Sequence, residues 1–298
     1  MNTIPLVSVV VLSYNNKSFL QDCIESILNQ DYPNIEIIVS DDCSTDGSQL
    51  LLKSLYNSKS DKVKLILNEK NSGITSNSNI ALANCSGEYI AWMGGDDLMY
   101  SNKIKIQVNF LEVNKDYNIC YHNLEVFQSE TNNLLYYFNN IRNNHTGGIE
   151  KAIKFGTFNG ACATMTRKSA SPKNGFNQTI PVASDWLYWI ENLENFGKIG
   201  YINKVLGRYR RHASNVTNKN SSFSTQGQKD LINTCEILFS KYPQYKSAIN
   251  YRLSIIYRSQ RKLEYMINLQ KSLKHNMFNL PSLIFLLLYC FSFKKIKL

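Results

Sequence analysis

Four times before residue 115, a short apolar run rich in β-branched residues is followed by a segment with apolar residues at helical spacing. Leu6 to Ser13 (LVSVVVLS) is too short for a typical helix and is rich in Val, which marks it as a strand. Ser18 to Gln30 then places Phe19, Leu20, Cys23, Ile24, Ile27 and Leu28 on one helical face. Ile35 to Val39 is the second strand, and Asp46-Gly47-Ser48 opens a helix through Leu55. Val63 to Leu67 and Tyr89 to Met93 are strands three and four, followed by helices at Ser76 to Ala83 and Asn102 to Val113. This alternation predicts an α/β fold: a doubly wound, mostly parallel sheet with helices on both faces.

Beyond residue 115 the pattern loosens. Tyr117 to Phe138 reads as short strands or a hairpin, and Phe158 to Thr166 as a strand. Asp185 to Phe196 is an amphipathic helix capped by Ser184 or Asp185. Ile199 to Ile202 and Val205 to Tyr209 read as strands, and from Gln226 the chain is helical and basic.

The fourth strand runs into Met93-Gly94-Gly95-Asp96-Asp97. Open α/β sheets bind ligands at the carboxyl ends of their strands. Two adjacent carboxylates there repel each other, and a divalent cation or a set of donors relieves the repulsion. Hard oxygen ligands suit Mg²⁺ or Mn²⁺, which bridge phosphate oxygens. Ser13-Tyr14-Asn15 ends the first strand, and Asp42 follows the second on the same edge. All four positions are candidates for holding a nucleotide.

The 298 residues suffice for one large domain or a domain with an appendage, and the net charge of +10 points to an anionic partner. Much of the basic excess falls between Lys241 and Lys297, and no aromatic-interleaved basic face argues for nucleic acid. The seven cysteines include no C-x-x-C pair and several sit in apolar runs, as reduced thiols in a cytoplasmic compartment do. Ile4 to Leu12 lacks a basic n-region and a cleavage site, so it reads as a strand and not a signal peptide.

The order Ser13-Tyr14-Asn15, Asp41 to Ser48, Asn71 to Asn79, Ala83 to Ile90 and Asp96-Asp97 resembles the family 2 glycosyltransferases of the GT-A fold. The resemblance covers about residues 5 to 217. It implies a GT-A domain at 1–217, with a nucleotide-sugar half at 1–115 and an acceptor half at 116–217, followed by a basic helical region at 218–298. By the same resemblance Asp42 contacts the base, Ser13, Tyr14, Asn15, Asn79 and Asp96 line the donor site, and Asp97 ligates the metal. Asp185, heading the Asp185-Trp186-Leu187-Tyr188-Trp189 helix, is the implied general base. Tyr209-Arg210-Arg211-His212 matches the family's Y-R-x-H, which makes His212 a metal ligand and Arg210 a phosphate contact.

The implied reaction is inverting transfer of one sugar from a nucleotide-diphosphate sugar, a UDP-sugar being favoured, with Mn²⁺ or Mg²⁺. The implied acceptor is a glycan, lipid-linked and of the O-antigen, capsule or exopolysaccharide type. There are departures: Gly94 stands where a further Asp is common, Ser184 where Glu is usual, and Ser78 where Arg is frequent. They keep open an inactive nucleotide-sugar or glycan binding module of the same fold. A nucleotidyltransferase would want a Gly-rich basic loop, which Tyr14-Asn15-Asn16-Lys17-Ser18 is not.

Residues 280–293 (LPSLIFLLLYCFSF) are intensely apolar and end in Lys294-Lys295-Ile296-Lys297. As a helix this run spans about 21 Å, short of a bilayer core of roughly 30 Å. An interfacial anchor with lysines on anionic head groups is expected. It would place the protein peripherally on the inner face of the cell membrane.

Overall fold

The computed structural model describes residues 4–59, 62–140, 143–215, 222–259 and 264–294. Its first half follows the expected alternation: β1 (Val7–Ser13), α1 (Lys17–Leu28), β2 (Ile35–Asp41), α2 (Ser48–Lys59), β3 (Val63–Leu67), α3 (Ile74–Ala83) and β4 (Tyr89–Gly94). The second half comprises β5 (Leu98–Met99), α4 (Lys103–Val113), β6 (Tyr117–Gln128), β7 (Leu134–Tyr137), α5 (Ile149–Phe155), β8 (Thr164–Arg167), α6 (Asp185–Glu191) and β9 (Lys198–Arg211). Four helices close the chain: α7 (Ser222–Lys241), α8 (Lys246–Ser259), α9 (Glu264–His275) and α10 (Leu280–Lys294).

One sheet runs in the order β3-β2-β1-β4-β8-β6-β9-β5, with β7 paired to β6. The strands β3, β2, β1 and β4 are parallel, and the sheet is mixed beyond them because β8 pairs antiparallel with both β4 and β6. Val7, Val9, Val10 and Val11 of β1 are fully buried, as a central parallel strand covered on both faces requires. Ser13 pairs with Asp41, and Leu12 with Gly94. The segments that follow β1, β2 and β4 therefore start at one edge of the sheet.

Three expectations are revised. The strand expected over Phe158 to Thr166 shrinks to β8, because Gly160 precedes a 3₁₀ turn at Ala161–Ala163 and Thr164 Oγ1 donates to Gly160 O at 2.8 Å. The two strands expected between Ile199 and Tyr209 are one bulged strand, β9. The helix expected to reach Phe196 ends at Glu191, and Asn195 and Phe196 follow at positive φ. The helices from residue 222 do not form a separate core. Cys235, Leu238, Ala248 and Ile249 join the same buried cluster as the sheet.

Candidate active site

The loops after β1 and β2 are sewn together by short polar side chains. Ser13 Oγ donates to Asp41 Oδ2 at 2.8 Å. Asn15 sits at φ 54°, a region Asn tolerates better than most residues. Its backbone N–H donates to Ser44 Oγ and its Oδ1 accepts from the Thr45 N–H, each at 2.8 Å. Tyr14, between them, is exposed.

Asp42 is buried and clamps the start of α3. Its Oδ1 accepts from Ser72 N and Oγ, both at 3.0 Å, and from Asn68 Nδ2 at 3.2 Å; its Oδ2 accepts from Gly73 N at 2.8 Å. A carboxylate at a helix start satisfies orphan N–H groups and faces the positive end of the dipole. Gly73, at φ 84°, allows the chain to turn into the helix there. Asp42 Oδ2 keeps a lone pair for one further donor.

The acidic turn after β4 meets the end of β9. Asp97 N–H donates back to Gly94 O at 3.2 Å, closing the turn. The two carboxylates then take different environments. Asp97, expected to ligate a metal, is 4% exposed, and its Oδ1 accepts the Arg210 backbone N–H at 3.0 Å. Burial, and after it the charge of Asp96, hold the Asp97 carboxyl well above its ordinary range. Behind it lies Lys103, wholly buried, whose Nζ donates to Cys162 O at 2.6 Å and whose pKa burial draws down to about 8. Asp96, expected to contact only ribose or sugar, is the carboxylate that meets His212: the imidazole Nε2 lies 2.9 Å from Asp96 Oδ2. Asn215 Nδ2 lies 3.2 Å from the same oxygen, and Ser214 Oγ lies 2.8 Å from His212 Nδ1.

Gly94 has a physical role here. A Cβ at this position would lie 2.6 Å from Asp96 Oδ1 and 3.4 Å from Asp97 Oδ2. The departure read from the sequence is thus the floor on which the acid pair packs.

Two residues expected at the donor make contacts within the protein. Arg210 is held in place: Nε donates to Asp96 O at 2.7 Å, an Nη reaches Asp22 at 3.5 Å, and the guanidinium lies over the rings of Phe19 and Phe127 at 4.8 and 4.9 Å. It braces the acidic turn. Asn79 uses both ends of its carboxamide on one residue, donating to Phe176 O at 2.9 Å and accepting from Phe176 N at 2.7 Å. It ties α3 to the loop before α6.

Asp185 opens α6 and is half-buried. Its Oδ1 accepts the Trp186 N–H at 2.9 Å, and burial raises its pKa above the ordinary carboxylate value. Ser184 Oγ lies 2.7 Å from Thr75 Oγ1 of α3, the helix that Asp42 clamps. A continuous chain of contacts therefore joins Asp42 to the base of α6. Asp230 of α7 completes the support, accepting from Val182 N at 2.8 Å and Ala183 N at 3.0 Å while Gln226 Nε2 holds its other oxygen. Asp230, Asp22 and Phe19 carried no motif that sequence reading could find, since they act through contacts remote in the chain.

A cleft of about 610 Å³ at the opposite end of β4 is lined by Tyr89, Glu112, Lys115 and Arg167. Its charges are spent on one another: Lys115 pairs with Glu112 at 3.1 Å, and Arg167 donates to Tyr89 Oη at 2.9 Å.

Asp96 Oδ2 and His212 Nε2 meet at a hydrogen-bond distance of 2.9 Å, and Asn215 Nδ2 lies 3.0 Å from the same nitrogen. A carboxylate oxygen and a neutral imidazole are groups that ligate divalent cations, and each would exchange this contact for the metal. Among the described residues no group of three or more His, Cys, Asp or Glu gathers to hold a metal. Any further ligands at this edge would come from substrate and water, as Mg²⁺ commonly takes them.

The mixed sheet with an acidic turn after its fourth strand is the α/β architecture expected from the sequence, and the comparisons agree. The family model described as glycosyl transferase family 2 matches residues 8–171. The chain belongs to glycosyl transferase family 2. It is 40% identical over 127 residues to the protein named glycosyltransferase EpsE of Bacillus subtilis, a match spanning 43% of this chain and 46% of EpsE. It is 36% identical over 107 residues to the B. subtilis protein named for teichuronic acid biosynthesis, TuaG, spanning 36% of this chain and 42% of TuaG. These matches cover less than half the length of either relative. The crystal structure of S. aureus TarS in complex with UDP-GlcNAc superposes with a TM-score of 0.66 at 16% identity, over 91% of this chain and 81% of that one. That likeness establishes the shared GT-A architecture.

Proposed function

We propose that this chain is an inverting, divalent-cation-dependent glycosyltransferase that moves one hexosyl or N-acetylhexosaminyl unit from a nucleoside diphosphate sugar to a glycan. The observation that carries the reading is the 2.9 Å edge between Asp96 and His212 at the carboxyl end of β4. A UDP-sugar is the favoured donor, because TarS, which shares the fold, was crystallised with UDP-GlcNAc.

Asp96 and His212 would hold Mn²⁺ or Mg²⁺. When bound, the cation would neutralise the diphosphate leaving group. Ser13, Tyr14, Asn15 and Asp42 would take the nucleotide at the carboxyl edge of β1 and β2. Asp185 takes the proton from the acceptor hydroxyl, and the freed oxygen bonds to the anomeric carbon from the face opposite the diphosphate. The bond from that carbon to the diphosphate oxygen breaks, and the configuration inverts. The raised pKa of Asp185 suits this task, because a base nearer working pH gives up less driving force when it accepts a proton.

The acceptor is a lipid-linked intermediate of a surface polysaccharide, a reading supported by the relative named for teichuronic acid biosynthesis. Attachment to an anionic membrane face fits α10. No helix among the described residues is long and apolar enough to cross a membrane. Yet Leu283, Ile284, Leu287 and Leu288 of α10 are exposed, and Met277 and Phe278 beside them are 79% and 95% exposed. Basic Lys271 and Lys274 lie on the adjoining α9. A membrane surface would cover these exposed apolar side chains, with the basic neighbours on anionic head groups.

The purified protein incubated with Mn²⁺ and a panel of UDP-, GDP- and dTDP-sugars tests the reading. Free nucleoside diphosphate should appear from one donor and vanish with EDTA. No release from any donor, together with no thermal shift by any nucleotide, would support the inactive glycan binding module instead.

A further inference from the structure

The indole of Trp189 is 2% exposed, and its Nε1 has no hydrogen-bond partner. A buried N–H left unpaired costs stability and calls for an explanation; Trp92 Nε1 beside it is unpaired as well, but only Trp189 lies one helical turn from an ionisable site residue. Trp189 stands four residues after Asp185 on α6, and side chains at i and i+4 lie on the same face of a helix. The indole attracts the Asp185 carboxylate from outside hydrogen-bonding geometry. Its ring is not free to turn away. Trp92 packs edge-on at 6.2 Å and Tyr188 edge-on at 5.2 Å. By contrast the neighbouring Trp186 spends its indole N–H on Ala152 O at 3.0 Å.

We propose that Trp189 is the positioning residue of the acceptor base: its indole N–H closes onto the Asp185 carboxylate when substrate is engaged and fixes which oxygen faces the acceptor hydroxyl. The inference rests on the assignment of Asp185 as base. The backbone N–H of Trp186 already holds Asp185 Oδ1. A second donor from the side of the helix leaves the carboxylate one orientation instead of a swinging pair. Catalytic hydrogen bonds are often long without substrate and shorten in the reacting complex, and a donor locked by packing needs no reorganisation to meet the charge.

Two measurements test it. The first needs no substrate. The chain has three tryptophans, so a protein labelled with ¹⁵N in its indoles gives three indole N–H signals, and W189F identifies one of them. In D185N the Trp189 signal should move further than those of Trp92 and Trp186. A Trp189 signal that stays in place while the others move would overturn the proposal. The second is kinetic, using the donor that the panel identifies, with water or glycan as acceptor. W189F keeps a ring in the pocket and removes the N–H. Its kcat should fall about 10-fold or more, the loss expected for a hydrogen bond to a charged group, while the donor KM stays within about twofold. W189F should also move the acid limb of the kcat profile to higher pH, because a donor to the ionised carboxylate is lost. Full activity in W189F, or an acid limb that stays in place, would reduce Trp189 to packing. Full activity in D185N would instead remove the base assignment itself.

Discussion

His212 Nε2 and Asp96 Oδ2 stand 2.9 Å apart although 116 residues separate them in the chain. The contact joins the end of β9 to the turn after β4. Arg210 reinforces it two residues earlier, through its backbone N–H on Asp97 and its guanidinium on the Asp96 carbonyl. The acidic turn is thus held by Arg210 and Asp97, and Asp96 is left to meet His212.

Gly94→Ala should damage the site without filling any useful space. The added Cβ would fall 2.6 Å from Asp96 Oδ1. Overpacking of this kind costs about 1–3 kcal/mol, and displacement of Asp96 should lower kcat/KM about 10-fold or more. Gly94→Asp, which restores the acid common in the family, should be worse. Thermal melts and donor turnover check both; a more active Gly94→Asp would contradict the packing argument.

Asp185→Asn should abolish turnover and stabilise the protein. Burial raises the folded pKa of Asp185 above its unfolded value of about 3.9. Its contribution to stability is therefore fully present below the unfolded value and is lost as pH rises through the folded one. The variant escapes that loss, so its advantage in Tm over wild type should widen as pH rises from the unfolded value through the raised folded one. The kcat profile of wild type should fall on the acid side as the carboxylate protonates. A variant less stable than wild type at pH 8 would show that the ionised form makes contacts not described above.

Asn79→Ala should act on stability and not on the donor. Both hydrogen bonds to Phe176 are lost, at about 1 kcal/mol each. The melting temperature should fall while nucleotide affinity stays within about twofold, as isothermal titration would measure. A selective loss of nucleotide affinity would return Asn79 to the donor site.

Ile284→Glu combined with Leu287→Glu should release the protein from anionic vesicles. Both side chains are about half exposed on α10, and each buried apolar side chain contributes about 1.5–3 kcal/mol. Co-sedimentation with phosphatidylglycerol vesicles, compared with neutral ones, reads the effect. Equal sedimentation of wild type and variant would leave α10 with a different partner or none.

The parallel half of the sheet was legible because its strands are buried on both faces and read as continuous apolar runs. The edge carrying Ser13, Asp42 and Asp96 followed from strand order alone. The different surroundings of Asp96 and Asp97 were not legible. They depend on which carboxylate the turn directs under the Arg210 backbone, and adjacent residues of the same type carry no sign of it. The packing of Arg210 was hidden for a related reason: its aromatic neighbours Phe19 and Phe127 are remote in the chain. The helices expected from Gln226 onward are present, but their sharing of a core with the sheet rests on long-range contacts such as Asp230 with Val182. The tail from residue 295, with its lysines, lies outside the described residues.

Titration of UDP into the protein, with Mn²⁺ and with EDTA, tests the central claim most directly when repeated on Asp96→Asn and Asp97→Asn. The account expects tight binding in Mn²⁺, about 10-fold or more weaker binding in EDTA, and an Asp96→Asn variant that binds weakly and alike in both. Asp97→Asn should keep its dependence on Mn²⁺. UDP affinity indifferent to Mn²⁺ in wild type, or a cation dependence lost with Asp97 and retained without Asp96, would contradict it.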